Sequence, residues 1–287
     1  MGWYLMKQNY AICGKLISIE SPLPLTEHEN FKIFAVDGGK TDIHITYKIS
    51  EVLPEAPGEP KVSQSGSLVS WSDGMVYRNT PMGTAQGALS CYKIGDTTNS
   101  EVYFTQRSYG VMADFRYMWN SISLSQLLLP FKTLLFHASY ISVNGEGILF
   151  SAECGVGKST QAELWRKYKG AEVINGDKAG VSVCSDGVYV HGLPFCGTSG
   201  ICKNKSFPLK AIVLLGQAPQ NTIRRVTGVS AIQSLIKNVY LDFISPGETG
   251  QCVDTLIELL NEVPVYHLDC TPDQRAVEAL AIELAKL

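Results

Sequence analysis

The chain has 287 residues, which is enough for one large domain or two modest domains with hydrophobic cores. Its formal net charge of -3 shows no overall bias toward nucleic acid or an anionic membrane surface, so neither is predicted as a partner. No apolar run is long enough to cross a bilayer, and the opening segment MGWYLMKQNYAICGK lacks the apolar core of a signal peptide, so we expect a cytoplasmic protein.

Short β-like runs alternate with turn signals from Gln8 to Gln106. The strongest turns are Asp37–Gly39 and Ser72–Gly74, and Glu51–Gly66 is predicted as a loop because it carries several prolines. The predicted strands are Tyr10–Ile19, Phe31–Val36, Ile43–Ile49, Ser67–Trp71, Met75–Arg78, Ala88–Ile94 and Val102–Gln106. We interpret residues 1–107 as an antiparallel β-rich domain, smaller than the rest, for which recognition of a substrate or peptide is the suggested role.

The pattern changes between Tyr109 and Phe136, where apolar residues recur at intervals of three and four. This spacing predicts a helical segment with a buried face, and Pro130 marks a break in it. We place the domain boundary near Ser108, so that residues 108–287 hold this connector and a second domain.

A predicted β-hairpin leads into the candidate site of the second domain. Ala138–Val143 and Ile148–Ser151 are predicted strands around a turn at Asn144–Gly147, and Lys158 opens a run with helical periodicity that ends at a C-cap, Gly170. Strand, glycine-bearing loop and helix are the context that a phosphate-binding loop requires.

The loop sequence AECGVGKST is typical of a nucleotide-binding site. Glycines let successive backbone N–H groups face one point, where the helix N-terminus adds partial positive charge. The predicted nucleotide-binding residues are Ala152, Glu153, Cys154, Gly155, Val156, Gly157, Lys158, Ser159 and Thr160. Ala152 replaces the usual first glycine and is compatible with the turn only at negative φ. We expect Lys158 to reach the β- and γ-phosphates and Ser159 to hold Mg²⁺; the competing interpretation is a glycine-rich turn with an incidental lysine.

Asp177 follows a predicted apolar strand that begins at Glu172, downstream of the loop helix. P-loop enzymes place at this point the carboxylate that holds or faces Mg²⁺. The loop Gly197–Gly200 either lines the substrate side of the pocket or is an ordinary hairpin exit. Later predicted elements are a hairpin of Gly180–Cys184 with Val188–Leu193, strands Leu209–Leu215, Asn221–Val226 and Pro264–Leu268, and helices Ser230–Val239, Cys252–Leu260 and Asp273–Lys286.

The order of these motifs resembles the catalytic domain of the HPr kinase/phosphorylase family, whose P-loop fold is similar to that of phosphoenolpyruvate carboxykinase. His137 lies 21 residues before Lys158 (158 − 137), Asp177 follows the loop helix, and NKSFPLK begins at Asn204. The likeness covers about Leu134 to Val226. It implies an α/β (α+β) fold with a mixed sheet, ATP and Mg²⁺ as cofactors, and catalytic roles for His137, Lys158 and Asp177, with Ser159 and Asp177 at the metal.

The chain departs from this family at the acid. HPr kinases carry two adjacent aspartates at the end of that strand, whereas this chain has Gly176 and then Asp177, followed by Lys178. In those kinases the two carboxylates divide metal binding and proton transfer, and this chain has only one of them. HPr itself is therefore not the expected substrate.

The sequence leaves two kinds of function open. The first is an ATP-dependent kinase that phosphorylates a hydroxyl, most plausibly a serine of a protein or peptide. The second is a catalytically weak nucleotide-binding module that regulates or recognises a partner. In either case the predicted partners are a nucleotide and a protein or peptide, with homo-oligomerisation left open. Positive charge over the γ-phosphate is expected from at most one of Lys203, Lys205, Lys210, Arg224 and Arg225.

Overall fold

The computed structural model describes residues 5–23, 29–62, 66–83, 85–241 and 245–287. The chain divides into two compact units, the first comprising the residues up to Pro130 together with Leu241–Gln251 and the second comprising Phe131–Tyr240 and Cys252–Leu287. Both units contain a mixed β-sheet, so the fold is of the mixed α/β type. Among the described residues, no helix has the length and apolar character needed to cross a bilayer.

The first unit is built on one sheet with the strand order β3-β1-β2-β4-β9-β8-β7-β6-β5. Its strands are β1 Met6–Ile12, β2 Lys15–Ser21, β3 Ala35–Val36, β4 Ile43–Ser50, β5 Lys61–Val62, β6 Leu68–Ser72, β7 Met75–Met82, β8 Ala85–Lys93 and β9 Asp96–Thr105. Its helices are α1 Glu29–Lys32, α2 Tyr109–Met112, α3 Phe115–Asn120 and α4 Leu124–Leu128.

Three details of this unit correct the sequence predictions. The sheet is mixed rather than antiparallel, because β4 pairs in parallel with both β2 and β9. The predicted strand Tyr10–Ile19 is a hairpin, since Cys13 and Gly14 have φ of 53° and 70° and turn the chain. The predicted strand Phe31–Val36 is instead the end of α1 followed by the two-residue β3.

The helical segment after β9 belongs to the first unit. Tyr47 on β4 donates its hydroxyl to the carbonyl of Met118 at 2.8 Å, and Thr97 on β9 donates to the carbonyl of Leu127 at 2.6 Å. Trp119 packs against Tyr10, with ring centroids 5.5 Å apart. The compact division therefore falls after Pro130, whereas the sequence places it near Ser108.

The second unit contains one eight-stranded sheet in which two long strands change partners along their length. Its strands are β10 Thr133–Val143, β11 Glu146–Ser151, β12 Glu172–Asn175, β13 Lys178–Cys184, β14 Gly187–Gly192, β15 Ser206–Gln217, β16 Thr222–Val226 and β17 Val265–Cys270. The first part of β10 pairs with β13, and its second part with β11 and β12. Likewise β15 pairs first with β14 and then with β11 and β17. The predicted helix to Phe136 is therefore too long, because strand β10 begins at Thr133.

The order β12-β10-β11-β15-β17-β16 positions the phosphate loop. β10 is antiparallel to both β12 and β11, while β11, β15 and β17 are mutually parallel neighbours. Consequently β12, β11, β15 and β17 all run in one direction, and their carboxyl ends lie at the same sheet edge. In open α/β sheets, ligands bind at this edge.

Two helices cover one face of this sheet. The helices of the unit are α5 Lys158–Lys169, α6 Gly228–Ile236, α7 Pro246–Glu262, which begins within the first unit, and α8 Gln274–Leu284. Trp165 of α5 and Leu280 of α8 are buried in one core with Phe150 of β11. Because Phe150 immediately precedes Ser151 at the end of β11, this packing anchors the entrance to the loop.

Candidate functional site

The predicted strand, loop and helix are present. β11 ends at Ser151, the loop follows, and α5 begins at Lys158 and ends at Gly170, whose φ of 65° confirms the predicted C-cap. The positive φ angles in the loop fall at Gly155 (82°) and Gly157 (126°), while Ala152 has negative φ. An alanine is thus accommodated at the first motif position because the turn requires left-handed backbone only at the two glycines.

The loop presents backbone N–H groups to its exposed side. In the described part of the chain, the amides of Gly155, Gly157, Lys158 and Ser159 have no hydrogen-bond partner, while that of Val156 bonds the carbonyl of Glu153 at 3.4 Å. Unpaired amides at the N-terminus of a helix favour an anion. The loop thus has unpaired amides at the start of α5, and phosphate binding by them stays a prediction.

Lys158 is 7% exposed and lies across the loop. Its Nζ donates to the carbonyl oxygens of Ala152 at 2.9 Å and Glu153 at 3.1 Å. Burial lowers the pKa of Lys158, and the Cys154 and Asp177 side chains act in the opposite direction. The ammonium is therefore held beside the loop by two neutral oxygens, and a phosphate oxygen would be a stronger partner because it is charged.

Asp177 lies in the connection between β12 and β13, at the carboxyl edge of β12. Asn175, which is fully buried, fixes this connection: its Oδ1 accepts from the amides of Asp177 and Lys178, each at 2.9 Å. Its Nδ2 donates to the carbonyls of Leu193 and Phe195, each at 2.9 Å. All four interactions of one amide thus tie the acid to the loop that follows β14.

That following loop packs directly on the acid. A Cβ placed on Gly197, whose φ is 55°, would lie 2.7 Å from Cγ of Asp177. A Cβ on Gly176 would lie 2.3 Å from Oγ of Ser199. A side chain at either position would require Ser199 or Asp177 to shift. The loop Gly197–Gly200 therefore lies beside the acid, and its place on the substrate side of the pocket stays a prediction.

His137 lies on β10, opposite Lys178 in the antiparallel pairing with β13. Its Nδ1 is 3.4 Å from Oδ1 of Asp177 and 2.9 Å from the hydroxyl of Tyr240, and both His137 and Asp177 are about one-quarter exposed. No hydrogen bond among the described residues involves its Nε2. The pKa of His137 is lowered, first by burial and then by the charge of Lys158. The imidazole is therefore neutral at neutral pH and able to accept a proton.

Tyr240 and Lys178 are the neighbours of this cluster that the sequence did not indicate as functional. Nζ of Lys178 lies 4.3 Å from the centroid of the Tyr240 ring, a cation–π distance. The pKa of the Tyr240 hydroxyl is raised by burial and by the charge of Asp177. Tyr240 follows α6, about a hundred residues after His137, so no local motif could have connected the two.

The predicted metal ligands do not belong to a ready-made metal cluster. In the described part of the chain, no group of three or more His, Cys, Asp or Glu side chains could hold a metal. Mg²⁺ commonly keeps several waters and uses one or two carboxylates together with substrate phosphates. The Asp177 carboxylate and the exposed Ser159 hydroxyl are oxygen donors of this kind, and their joint role at a metal stays a prediction.

Most of the basic residues considered as phosphate ligands are engaged elsewhere. Lys203 and Lys205 both form ion pairs with Glu172, and Lys210 pairs with Glu146, each at 2.8 Å. Arg224 and Arg225 are exposed on β16, at the far side of β17 from the loop. The cations that act electrostatically on His137 are Lys158 and Lys178.

Comparisons with known proteins add one weak likeness. Among solved structures, the chain is similar to the Hpr(Ser) kinase/phosphatase from Coxiella burnetii, with a TM-score of 0.31 and 11% sequence identity, over 53% of this chain and 93% of that chain. No protein-family model and no curated protein matches the sequence. At this TM-score the likeness carries no functional argument, so the functional assignment depends on the geometry of the site.

Proposed function

We propose that the second unit is an ATP-dependent kinase that transfers the γ-phosphoryl group to a hydroxyl, with a serine of a protein or peptide as the first candidate acceptor. The supporting observation is that the loop and the His137–Asp177 pair lie at one sheet edge, where Lys158 interacts electrostatically with both His137 and Asp177. The finer assignment, to the P-loop fold shared with phosphoenolpyruvate carboxykinase, is part of this proposal. It is supported by the order of hairpin, loop, helix and acid.

Phosphoryl transfer requires charge neutralisation and an oriented nucleophile. The oxygen of the acceptor hydroxyl attacks the γ-phosphorus, the bond from that phosphorus to the bridging oxygen breaks, and ADP leaves. The unpaired amides of Gly155, Gly157, Lys158 and Ser159 and the Lys158 ammonium bind the phosphate oxygens. When bound, Mg²⁺ supplies further neutralisation of the β- and γ-phosphates, held by Ser159 and Asp177.

The acceptor proton has two routes in this site. In one, Asp177 takes it directly and does not hold the metal. In the other, Nε2 of His137 takes it, while Nδ1 remains oriented by Tyr240 and the Asp177 carboxylate stabilises the resulting imidazolium. Both routes require the carboxylate, so position 177 is the decisive one.

The test is phosphoryl transfer by the Asp177→Asn variant. With γ-labelled Mg-ATP we expect label in a library of serine-containing peptides or, with water as acceptor, in released phosphate. Asp177→Asn should lower either rate by about 100-fold or more, the usual size of a lost general base, while ATP binding persists. Asp186→Asn, in the exposed turn before β14, is the matched control and should transfer normally. If Asp177→Asn transfers at the parental rate, the proposed mechanism is wrong.

A second candidate function is a nucleotide-binding regulatory module. It is favoured by the lone carboxylate, since this chain has Gly176 and then Asp177, followed by Lys178, where the resembled family carries two adjacent aspartates. This alternative predicts ATP binding without phosphate transfer to any peptide or to water, and a partner affinity that changes with ATP. Measurable turnover by the parental protein would exclude it.

A further inference from the structure

A cavity of about 590 Å³ lies beside the phosphate loop, within the second unit. It begins at Gly155–Gly157 and extends along α5 to the ends of β15 and β17. Its volume is in the range of small-molecule sites, roughly 300–1,000 Å³. The His137–Asp177 pair is not part of its lining, so the cavity is additional to the catalytic cluster described above.

The strand order places this cavity and the acid on opposite sides of the loop. β11, which leads into the loop, has β10 and β12 on one side and β15 and β17 on the other. Asp177 follows β12, whereas the lining residues Gln217 and Cys270 end β15 and β17. A polyphosphate on the loop whose terminal phosphate faces Asp177 therefore directs its other end, which carries the nucleoside, toward the cavity.

The walls of the cavity suit a flat heteroaromatic ring. Val156, Leu215, Ala218 and Pro272 supply apolar surface. Gln217 lies at the exposed rim, where its Nε2 donates to the carbonyl of Val156 at 3.2 Å. Cavities with apolar walls and few polar groups are typical of nucleobase-sized ligands, since the ring faces are apolar and the ring edge is polar.

One polar group in the lining is incompletely satisfied. Gln161, on the second turn of α5, is 2% exposed, and its Oε1 has no hydrogen-bond partner among the described residues. Its Nε2 donates to Sγ of Cys270 at 3.2 Å, and a thiol is a weak acceptor. An unpaired buried oxygen of this kind costs free energy, so a ligand donor that reached it would be favoured. The Gln161 side chain lines the cavity.

We propose that this cavity binds the base of the nucleotide and that Gln161 makes it selective for adenine over guanine. A glutamine amide matches adenine, because its oxygen accepts from the 6-amino group while its nitrogen donates to a ring nitrogen. Guanine presents two acceptors along the corresponding edge and so leaves the glutamine oxygen unpaired. The inference rests on the proposed function, because it requires a polyphosphate on the loop. It assigns ATP as the phosphoryl donor.

The test is calorimetric binding of Mg-ATP, Mg-GTP and Mg-tripolyphosphate, the last being a probe without a base. The parental protein should bind ATP about tenfold or more tighter than either of the others, the equivalent of one or two hydrogen bonds. Gln161→Met should remove this preference and leave tripolyphosphate binding unchanged. Glu163→Gln, on the exposed face of the same helix, is the matched control and should keep the preference.

The possible failures are distinguishable. Equal affinity for ATP, GTP and tripolyphosphate in the parental protein, or an unchanged preference in Gln161→Met, overturns the base pocket and leaves the phosphate loop intact. Absence of binding of both ATP and tripolyphosphate to the parental protein overturns the proposed function itself.

A second measurement, made on the parental protein, tests the proposal if the Gln161→Met variant does not fold. Alkylation of Cys270 and of Cys154 is followed separately by mass spectrometry in the parental protein. ATP should slow alkylation of both thiols, whereas tripolyphosphate should slow only that of Cys154, which lies in the phosphate loop. Equal protection of Cys270 by the two ligands overturns the proposal.

Discussion

At the scale of single residues, the candidate site depends on the state of His137. The imidazole is half-enclosed and near two cations, Lys158 and Lys178, so its protonation is disfavoured despite the adjacent carboxylate of Asp177. A neutral imidazole beside a carboxylate is the arrangement that general-base catalysis requires at neutral pH. The charges around the ring therefore matter as much as the ring itself.

Removing one of these charges should change the pKa of His137 in a known direction. Lys178 disfavours the imidazolium, so Lys178→Met should raise the pKa of His137, and the acidic limb of the rate profile should move to higher pH. NMR titration of the imidazole measures the shift independently of activity. Lys203→Met is the control, because that ammonium is paired with Glu172. An unchanged or lower pKa in Lys178→Met would contradict this account of the cluster.

The strand, glycine-bearing loop and helix around Lys158 could be predicted from the sequence because the signal is local. Strand, glycines, lysine and helix lie within about twenty consecutive residues, and the backbone geometry follows from that order. Tyr240 and the buried Asn175 could not be predicted as parts of the site. Each acts through contacts with segments distant in sequence, and neither residue type at its position has a functional pattern of its own.

At the scale of elements, the loop after β14 sets the environment of the acid. Gly197 and Gly200 both have left-handed backbone, with φ of 55° and 67°. Gly197 begins a short 3-10 turn, and Gly200 follows its last residue. They differ in surroundings: a Cβ at Gly197 meets the Asp177 carboxylate, whereas a Cβ at Gly200 meets no atom within 4 Å. A substitution at Gly200 therefore has only the cost of its backbone conformation, whereas a substitution at Gly197 also disturbs Asp177.

Alanine at these two glycines should therefore have different effects. Gly200→Ala should lower the free energy of unfolding by about 1–2 kcal/mol through its left-handed φ and leave transfer intact. Gly197→Ala carries the same backbone cost and also displaces Asp177, so transfer should fall by roughly 100-fold, the effect of a misplacement of about 1 Å. Phosphoryl-transfer rates and denaturant unfolding curves are measured for both variants. Equal rates would show that this loop does not position the acid.

Some elements were mispredicted because short apolar runs do not distinguish helix from strand. Leu134–Phe136 continues the apolar pattern of the preceding helical segment, yet it forms the start of β10, where it pairs with β13. The parallel pairing of β4 with β2 and β9 is likewise invisible to local patterns, since alternation reports a half-buried strand and not the direction of its neighbour.

At the scale of the whole molecule, one buried histidine should make the free energy of unfolding depend on pH in the acidic range. His191 on β14 is 7% exposed, and its Nδ1 is 2.7 Å from Oγ of Ser206. Burial lowers the pKa of His191 to about 4. Because an unfolded histidine titrates near 6.5, the unfolded chain gains a proton between these values that the folded chain does not. The folded state is therefore fully stabilised above pH 6.5 and loses stability as the pH falls to 4.

The expected loss from His191 is about 3 kcal/mol across this range. Denaturant unfolding at several pH values measures it as the difference between the parental protein and His191→Gln, since other groups titrate identically in both. The variant should show a smaller fall in the free energy of unfolding between pH 6.5 and 4. Parallel curves for the two proteins would mean that His191 is protonated in the folded state.

The central claim is that the amides of Gly155, Gly157, Lys158 and Ser159 bind a polyphosphate whose end faces Asp177. A crystal structure with Mg²⁺ and a non-hydrolysable ATP analogue tests it most directly. We predict phosphate oxygens within hydrogen-bond distance of those amides and of Lys158, with the γ-phosphate on the side of His137 and Asp177. An analogue bound elsewhere, or one whose γ-phosphate points away from Asp177, would contradict the account.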